Sequence, residues 1–203
     1  MIKIDLVTHQ YDRAVGPIFS PVSFEIKPNE CIGLSGPSGC GKTTLAKIIA
    51  GHLRPSHGRI VMAGQEITGR PNRDIILISQ ESDLFPWQTV RRHLSFVMSE
   101  PNDRQIADWL DLAGLGSCGN FYPYQLSGGM KKRLALIRAL ALAPRLLILD
   151  EAFASLDVKS KTGLYRDLES ICRKTRTALL LISHDLEEIE RLADRKIFLD
   201  YII

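Results

Sequence analysis

Long hydrophobic runs are absent from this 203-residue chain, and so is a strong charge of one sign. No stretch reaches the roughly 18 uncharged apolar residues that suggest a membrane span, and the opening MIKIDLVTHQ lacks the apolar core of a signal peptide. The formal net charge is only +3, and the basic residues are scattered rather than clustered. These absences predict a protein with no transmembrane helix and no nucleic-acid partner.

Cysteine is also scarce. The four cysteines, Cys31, Cys40, Cys118 and Cys172, show no CxxC spacing, which predicts reduced thiols in a cytoplasmic protein. Hydrophobic residues make up 45% of the chain and charged residues 24%, as in ordinary globular proteins. The length suits one well-buried domain better than two, so we expect a single domain over residues 1–203.

Apolar patterning divides the chain into a β-rich first part, a helical middle and an alternating last part. Strand-like runs such as IKIDLV, VSFEIK and ECIGLS give way after about residue 88 to amphipathic helical spacing, which lasts to about residue 143. The apolar runs RLLILD and TALLLIS then alternate with helical segments. Uninterrupted apolar strands between helices indicate a parallel sheet covered on both faces, so the predicted fold class is α/β with a helical insertion.

The segment GPSGCGKTT fits the phosphate-loop pattern GxxxxGK[ST], between a predicted strand and a predicted helix. Its glycines let consecutive backbone N–H groups face inward and form an anion nest at a helix N-terminus. Lys42 can then reach the β- and γ-phosphates, and the Thr43 hydroxyl can ligate magnesium. The alternative is a glycine turn with a chance lysine. The candidate nucleotide-binding residues here are Gly36, Pro37, Ser38, Gly39, Cys40, Gly41, Lys42, Thr43 and Thr44.

Two acidic residues end the buried strand predicted over RLLILD. Asp150 and Glu151 follow four apolar residues, which places both carboxylates at the carboxyl edge of the sheet, where open α/β folds bind their ligands. Asp150 is predicted to hold the magnesium, directly or through water, and Glu151 to orient or deprotonate the attacking water. A solvated acidic pair at the start of a loop is the alternative interpretation.

Together with further motifs, these two segments resemble the ATPase subunits of ATP-binding-cassette (ABC) transporters. The motifs run in that family's order, Tyr11, GPSGCGKTT, Gln80, LSGGM, LILDE, SLD and His184, and cover nearly the whole chain. The resemblance implies a P-loop NTPase (RecA-like) core with a mostly parallel sheet, an N-terminal antiparallel β portion and an inserted helical subdomain over about 88–143. It also implies an ATPase that uses ATP and Mg²⁺.

The LSGGM segment places two glycines at the start of a good helical pattern, where each costs about 1 kcal/mol relative to alanine. A serine hydroxyl, glycine N–H groups and a helix N-terminus can form a second anion site. In the family, the residues matching Ser127, Gly128 and Gly129 complete the ATP site of the other subunit in a head-to-tail dimer. The resemblance therefore implies a second ABC ATPase subunit as partner, most simply as a homodimer.

Four further roles follow from the resemblance alone. It implies that Tyr11 stacks on adenine, that Gln80 contacts magnesium and water, that His184 contacts the γ-phosphate, and that Asp157 lies at the dimer interface. Each has a plainer alternative: an ordinary surface or core tyrosine, a polar strand end, a structural histidine, and a helix N-cap.

The segment SDLFPWQTV, residues 82–90, lies where the family forms part of the groove that docks a coupling helix of the transmembrane subunit. Phe85 and Trp87, on either side of Pro86, would suit an exposed aromatic contact. The alternative is that both rings pack under the helical segment.

LFPW after the glutamine, and methionine in LSGGM, resemble ATPases of nitrate, sulfonate and taurine importers. This likeness implies a peripheral subunit at the cytoplasmic face of the inner membrane, working with a permease and a periplasmic solute-binding protein. An exporter ATPase and a non-transport ABC switch are the alternatives. The chain stops soon after its last predicted strand, so no regulatory C-terminal domain is expected.

Overall fold

The computed structural model describes residues 1–12, 16–79, 84–154 and 158–200. In chain order the strands and helices are β1 (Ile2–Thr8), β2 (Val22–Ile26), β3 (Cys31–Ser35), α1 (Lys42–Ile49), β4 (His57–Met62), β5 (Gln65–Glu66), β6 (Ile75–Ile78), α2 (Val90–Val97), α3 (Asp103–Leu112), α4 (Gly128–Leu140), β7 (Leu146–Asp150), α5 (Val158–Thr175), β8 (Ala178–Ile182), α6 (Leu186–Leu192) and β9 (Arg195–Phe198). Short 3₁₀ turns at Gly116–Cys118 and Pro123–Gln125 precede α4.

The first sheet is antiparallel and has the strand order β2-β1-β4-β5. Ile2 and Ile4 of β1 are buried while Lys3 is exposed, the alternation expected of a sheet with one covered face. The register shifts between Ile4 and Val7, where Leu6 adopts a positive φ of 51°. This bulge ends the alternation. The N-terminal antiparallel β portion expected from the family resemblance is therefore present.

The second sheet is parallel throughout, with the strand order β6-β7-β8-β3-β9. Every residue of β7 and β8 is buried, because both faces of the sheet are covered. Successive side chains of β7 enter different cores. Leu146 and Ile148 pack toward α1 and the antiparallel sheet, whereas Leu147 and Leu149 pack toward α4, α5 and α6. The parallel sheet predicted from the apolar runs is confirmed.

The helical middle forms a subdomain with its own apolar core, made by α2, α3 and part of α4. Leu134 and Ile137 of α4 belong to this core, whereas Leu136 and Leu140 pack against the parallel sheet. The helical subdomain is thus present, and α4 belongs to it and to the sheet-covering layer at once. In the part of the chain that the structure describes, no helix is long and apolar enough to cross a membrane.

The parallel sheet gathers three connections at its carboxyl edge. The phosphate loop follows β3, Glu151 follows β7, and Ser183 with His184 follows β8. β8 pairs with both β3 and β7, and Asp150 lies opposite Ile182 in the register. Residues far apart in the sequence therefore meet at one edge, as is typical of ligand sites in open α/β folds.

Candidate functional site

The phosphate loop has backbone angles that only glycine adopts comfortably. Gly36, Gly39 and Gly41 have φ values of 153°, 81° and 97°. A Cβ added at Gly36 would lie 2.1 Å from the carbonyl oxygen of Leu199, and one at Gly41 would lie 2.6 Å from Cδ1 of Phe19. The glycines predicted for a phosphate-binding turn are therefore also required by the packing around it.

Lys42 opens α1 and folds back over the loop. Its Nζ donates hydrogen bonds of 2.8 Å to the carbonyl oxygens of Gly36 and Pro37, and the side chain is buried. This arrangement places the positive charge of an ammonium group over the loop, where it can attract an anion. Cys40 is fully buried under the loop, 3.9 Å from the same Nζ, so its candidate role is confined to its backbone.

Asp150 ends β7 as a buried carboxylate that is only partly satisfied. The Thr43 hydroxyl donates a hydrogen bond to it, while its Oδ1 has no hydrogen-bond partner among the described residues. Burial raises the pKa of Asp150, and the Thr43 hydrogen bond and the charges of Lys47 and Lys42 partly offset that rise. A hydroxyl beside a carboxylate with an unsatisfied oxygen suits a hard divalent cation, which takes oxygen ligands.

Glu151 and His184 meet at the mouth of the site. Glu151 has a positive φ of 50°, and its N–H donates to the carbonyl oxygen of Ile182, 2.9 Å away. This left-handed turn directs the chain away from the sheet immediately after Asp150. Oε1 of Glu151 lies 3.5 Å from Nδ1 of His184, whose side chain is 65% exposed. The structure therefore pairs a carboxylate with an imidazole that is open to solvent.

Tyr11 lies beside the phosphate loop rather than in the core. Its hydroxyl is 3.2 Å from Oγ1 of Thr44, its ring is about half exposed, and it meets the buried ring of His9 edge-on at a centroid distance of 4.7 Å. An aromatic face next to the loop is thus available for a nucleobase.

The LSGGM segment begins α4. The Ser127 hydroxyl accepts a hydrogen bond of 3.3 Å from the backbone N–H of Met130, so this serine is the N-cap of the helix. Ser127 and Gly128 are exposed, and a Cβ added at Gly128 would meet nothing within 4 Å. Among the described residues, no packing explains the glycine at position 128, unlike those at 36 and 41. The free helix N-terminus faces outward with bare backbone.

Two predicted site residues, Gln80 and Asp157, lie outside the described residues. Their assigned roles, contact with magnesium and water and a place at a dimer interface, stay predictions.

Phe85 and Trp87 divide between the two alternatives that the sequence left open. The Phe85 ring packs among Trp87, His93 and Phe96 at centroid distances of 5.5, 5.9 and 5.7 Å, with the Arg138 guanidinium 5.7 Å from its centre. Trp87 and Phe96 are 70% and 65% exposed. Phe85 therefore supports the helical subdomain, and Trp87 remains at the surface.

Beside these rings, an apolar groove of about 310 Å³ opens between β6 and α4. The other walls of this groove carry no local sequence signal, because Phe96 of α2 and Leu142 after α4 become neighbours only in the folded chain. The groove is lined by residues from β6, the Phe85 loop, α2 and α4: Ile76, Leu77, Ile78, Ser79, Phe85, Phe96, Val97, Ala135, Arg138, Ala139 and Leu142.

Known proteins are similar in sequence to most of this chain. The family model described as "ABC transporter" matches residues 19–154. The nitrate import ATP-binding protein NrtC of Synechococcus elongatus is 39% identical over 98% of this chain, which spans 32% of that protein. The taurine import ATP-binding protein TauB of Pelagibacter ubique is 37% identical over 86% of this chain and 68% of its own length.

A solved structure gives the same fold. It is described as the dimeric post-hydrolysis state of the ATP-binding cassette MJ0796 bound to ADP and Pi, and it superposes with a TM-score of 0.84 at 26% identity. The match covers 100% of this chain and 97% of that one.

Proposed function

This chain belongs to the ABC transporter family, and from that premise we propose that it is the ATP-hydrolysing subunit of an importer of a small solute. The observation that carries the proposal is a convergence at one sheet edge: the phosphate loop, the Asp150 carboxylate and the Glu151–His184 pair. Transfer of a γ-phosphoryl group to water depends mostly on positioning and charge neutralisation, which these groups supply. We propose that residues 1–203 form one nucleotide-binding domain, with its helical subdomain over about 88–143.

The loop would hold the ATP phosphates by its inward N–H groups and by Lys42, and Tyr11 would contact the adenine. Thr43 and Asp150 would hold Mg²⁺, together with Gln80, and the ion would neutralise charge on the phosphates. Oδ1 of Asp150 has no hydrogen-bond partner among the described residues, and this supports the assignment, since a bound cation would satisfy it.

Glu151 would take the proton of the attacking water as its oxygen bonds to the γ-phosphorus and the bond to the bridging oxygen breaks, releasing ADP and phosphate. His184, with its ring exposed beside Glu151, would contact the γ-phosphate. The short distance between Glu151 and His184 at the mouth of the site supports these two roles.

Glu151→Gln tests this mechanism. It keeps the size of the side chain but removes the base, so ATP turnover should fall at least about a hundredfold. Binding of a fluorescent ATP analogue should remain, because Lys42, Thr43 and Asp150 are intact. Lys42→Ala is the matched comparison and should lose binding itself. Near-normal turnover of Glu151→Gln would rule out Glu151 as the base and leave His184 as the candidate.

A head-to-tail dimer would place Ser127, Gly128 and Gly129 of one subunit over the ATP of the other. The exposed N-terminus of α4 supports this role, since in the described part of the chain nothing packs where a side chain at position 128 would lie. In the Glu151→Gln background, ATP should trap a dimer that elutes with about doubled mass on gel filtration. Adding Ser127→Arg should keep the protein monomeric while nucleotide binding by the monomer persists. A dimer that forms despite Ser127→Arg would contradict the assignment.

The groove beside Trp87 and Phe96 would receive a helix of a transmembrane permease, which would hold this subunit at the cytoplasmic face of the membrane. Its exposed aromatic wall supports an apolar partner helix. Two relatives are named for nitrate import and taurine import, which supports a small solute such as nitrate, sulfonate or taurine as the cargo. A periplasmic solute-binding protein would belong to the same system.

Reconstitution with the permease encoded by a neighbouring gene tests this partner. Solute should accumulate on the side of the vesicle that contains ATP and this subunit. Movement in the opposite direction would indicate an exporter. ATPase activity that changes with neither the permease nor its solute would favour a non-transport switch.

A further inference from the structure

A buried carboxylate lies directly behind His184. Glu188, in the first turn of α6, is only 4% exposed, and both of its oxygens accept hydrogen bonds. Tyr165 of α5 donates its hydroxyl to Oε1, and Ser183, at the end of β8, donates its hydroxyl to Oε2. A buried charge is stable only when it is hydrogen-bonded in this way, so Glu188 fixes two hydroxyls from two different elements.

The same network holds both chain neighbours of His184. The backbone N–H of Asp185 donates to the Ser183 hydroxyl at 3.0 Å, so Ser183 links Glu188 to the residue beyond the histidine. The Asp185 carboxylate accepts from the N–H of Glu187 at 3.1 Å and pairs with Lys161 at 3.0 Å. Residues 183 and 185 are therefore anchored while the imidazole between them stays exposed.

Surrounding groups keep the network in one protonation pattern. Burial and the hydrogen bond to Glu188 raise the pKa of Tyr165, so its hydroxyl stays a donor throughout the physiological range. Burial lowers the pKa of the Lys132 ammonium on α4, and the nearby charge of Glu188 partly offsets that change. The Ser183 hydroxyl has one orientation available, because it donates to Oε2 of Glu188 and its oxygen accepts from the Asp185 N–H.

We propose that Glu188 is a positioning residue for His184, acting through Ser183. The Glu188–Ser183–Asp185 chain sets the backbone of residues 183–185 and thereby holds the imidazole at Glu151. Tyr165 anchors the opposite oxygen of Glu188 and does not touch this backbone, so its contribution is to stability. The inference rests on the proposed function, because it assigns a purpose to the position of His184 in hydrolysis.

Ser183→Ala and Tyr165→Phe are a matched pair, since each deletes one hydroxyl from the same carboxylate. Ser183→Ala should lower kcat about ten- to a hundredfold, as small misplacements of reacting groups do, with KM for ATP within about twofold. Tyr165→Phe should keep kcat within about twofold even where it lowers Tm. Glu188→Met, which has a similar length but no oxygen acceptor, should match Ser183→Ala, and it replaces that variant if Ser183→Ala does not fold.

A second measurement is independent of catalysis. The chain has five histidines, so a ¹H–¹³C NMR spectrum of a histidine-labelled sample contains few ring signals. The signal that disappears in His184→Ala is that of His184. The Cε1–H signal of His184 in the nucleotide-free protein should shift in Ser183→Ala and Glu188→Met, and stay in place in Tyr165→Phe.

The outcomes separate the two proposals. Wild type without ATPase activity would refute the proposed function, while the NMR signal would still test the inference. An unmoved His184 signal, or a wild-type kcat in folded Ser183→Ala, would overturn the positioning role. Equal losses of kcat in Ser183→Ala and Tyr165→Phe would also overturn it, because they would reduce Glu188 to a general anchor of α5 and α6.

Discussion

Replacing Asp150 by asparagine should stabilise the nucleotide-free protein and weaken the ATP-bound one. Burial raises the pKa of this carboxyl in the folded state above its unfolded value. A carboxyl with a raised folded pKa costs stability once it ionises. The cost is absent below the unfolded pKa, grows as pH rises from the unfolded to the folded pKa, and is fully present above the folded pKa. An isosteric amide removes the charge and therefore the cost.

The size of the effect follows from the hydrogen bonds of Asp150. A buried polar atom without a partner costs about 1 to 3 kcal/mol, and more when it is charged. Asp150→Asn keeps an acceptor for the Thr43 hydroxyl but leaves a neutral N–H₂ where Oδ1 lacks a partner. Replacing a charged group by a neutral one at this position should raise the free energy of unfolding by about 1 kcal/mol. In a protein of this size that raises Tm by about 2 to 4 °C.

Bound Mg²⁺ and ATP should reverse the order of stability. At a ligand concentration of 100 times its Kd, binding adds about 2.7 kcal/mol. Wild type should gain this amount with Mg²⁺ and ATP together, and Asp150→Asn should gain much less, because its cation ligand is gone. Thermal unfolding followed by circular dichroism, with and without Mg²⁺ and ATP at pH 7, should show the two curves crossing.

Asp74→Asn is the control for the loss of one negative charge. Asp74 pairs with Arg145 at 3.1 Å in an exposed position, so its removal should change the free energy of unfolding by less than about 1 kcal/mol in either condition. A nucleotide-free Asp150→Asn that melts below wild type would refute the argument from burial. An undiminished response to Mg²⁺ and ATP would refute Asp150 as a cation ligand.

Three other results are expected. Gly41→Ala should lose nucleotide binding and about 2 to 5 kcal/mol of stability, because of its left-handed φ and the clash with Phe19. Gly64→Ala has a similar φ and open space, so it should lose only the stability that depends on φ, and equal losses in the two variants would contradict the clash. Trp87→Ala should change Tm little and leave the ATPase activity of the isolated chain intact, while abolishing its stimulation by the permease, and retained stimulation would exclude Trp87 from that contact. Cys40 is fully buried, as the other thiols nearly are, so a thiol reagent should label native protein far more slowly than protein in urea; rapid native labelling would contradict the burial.

Local motifs explain how much of this molecule the sequence predicts. The parallel strands carry their own signal, since Leu147 and Leu149 follow apolar neighbours without a polar break. The phosphate loop is also predicted from a local signal, because its glycines and Lys42 all lie within the seven residues GPSGCGK. The two-residue strand β5 was missed, since Gln65 and Glu66 are polar and pair only through β4.

What the sequence could not give depends on contacts between distant segments. Tyr11 meets Thr44 across 33 residues, and no local pattern marks that distance. The bulge at Leu6 breaks the alternation of β1, although the strand reads as regular. One signal was overlooked: Glu188 lies on the buried face of α6 with Ile189 and Leu192, and a charge at a core position indicates a buried partner.

Because α4 is packed into two cores, it cannot bend to satisfy one of them alone. Its start carries Ser127, and Arg138, on the wall of the groove, lies eleven positions further along the chain, about 16 Å at the helical rise. A helix that packs on two sides moves as one body together with its neighbours. If a bound helix shifted the groove wall at Arg138, α4 would therefore displace Ser127 by a similar distance. The helix would connect the groove mechanically to the LSGGM segment, although the two are not in contact.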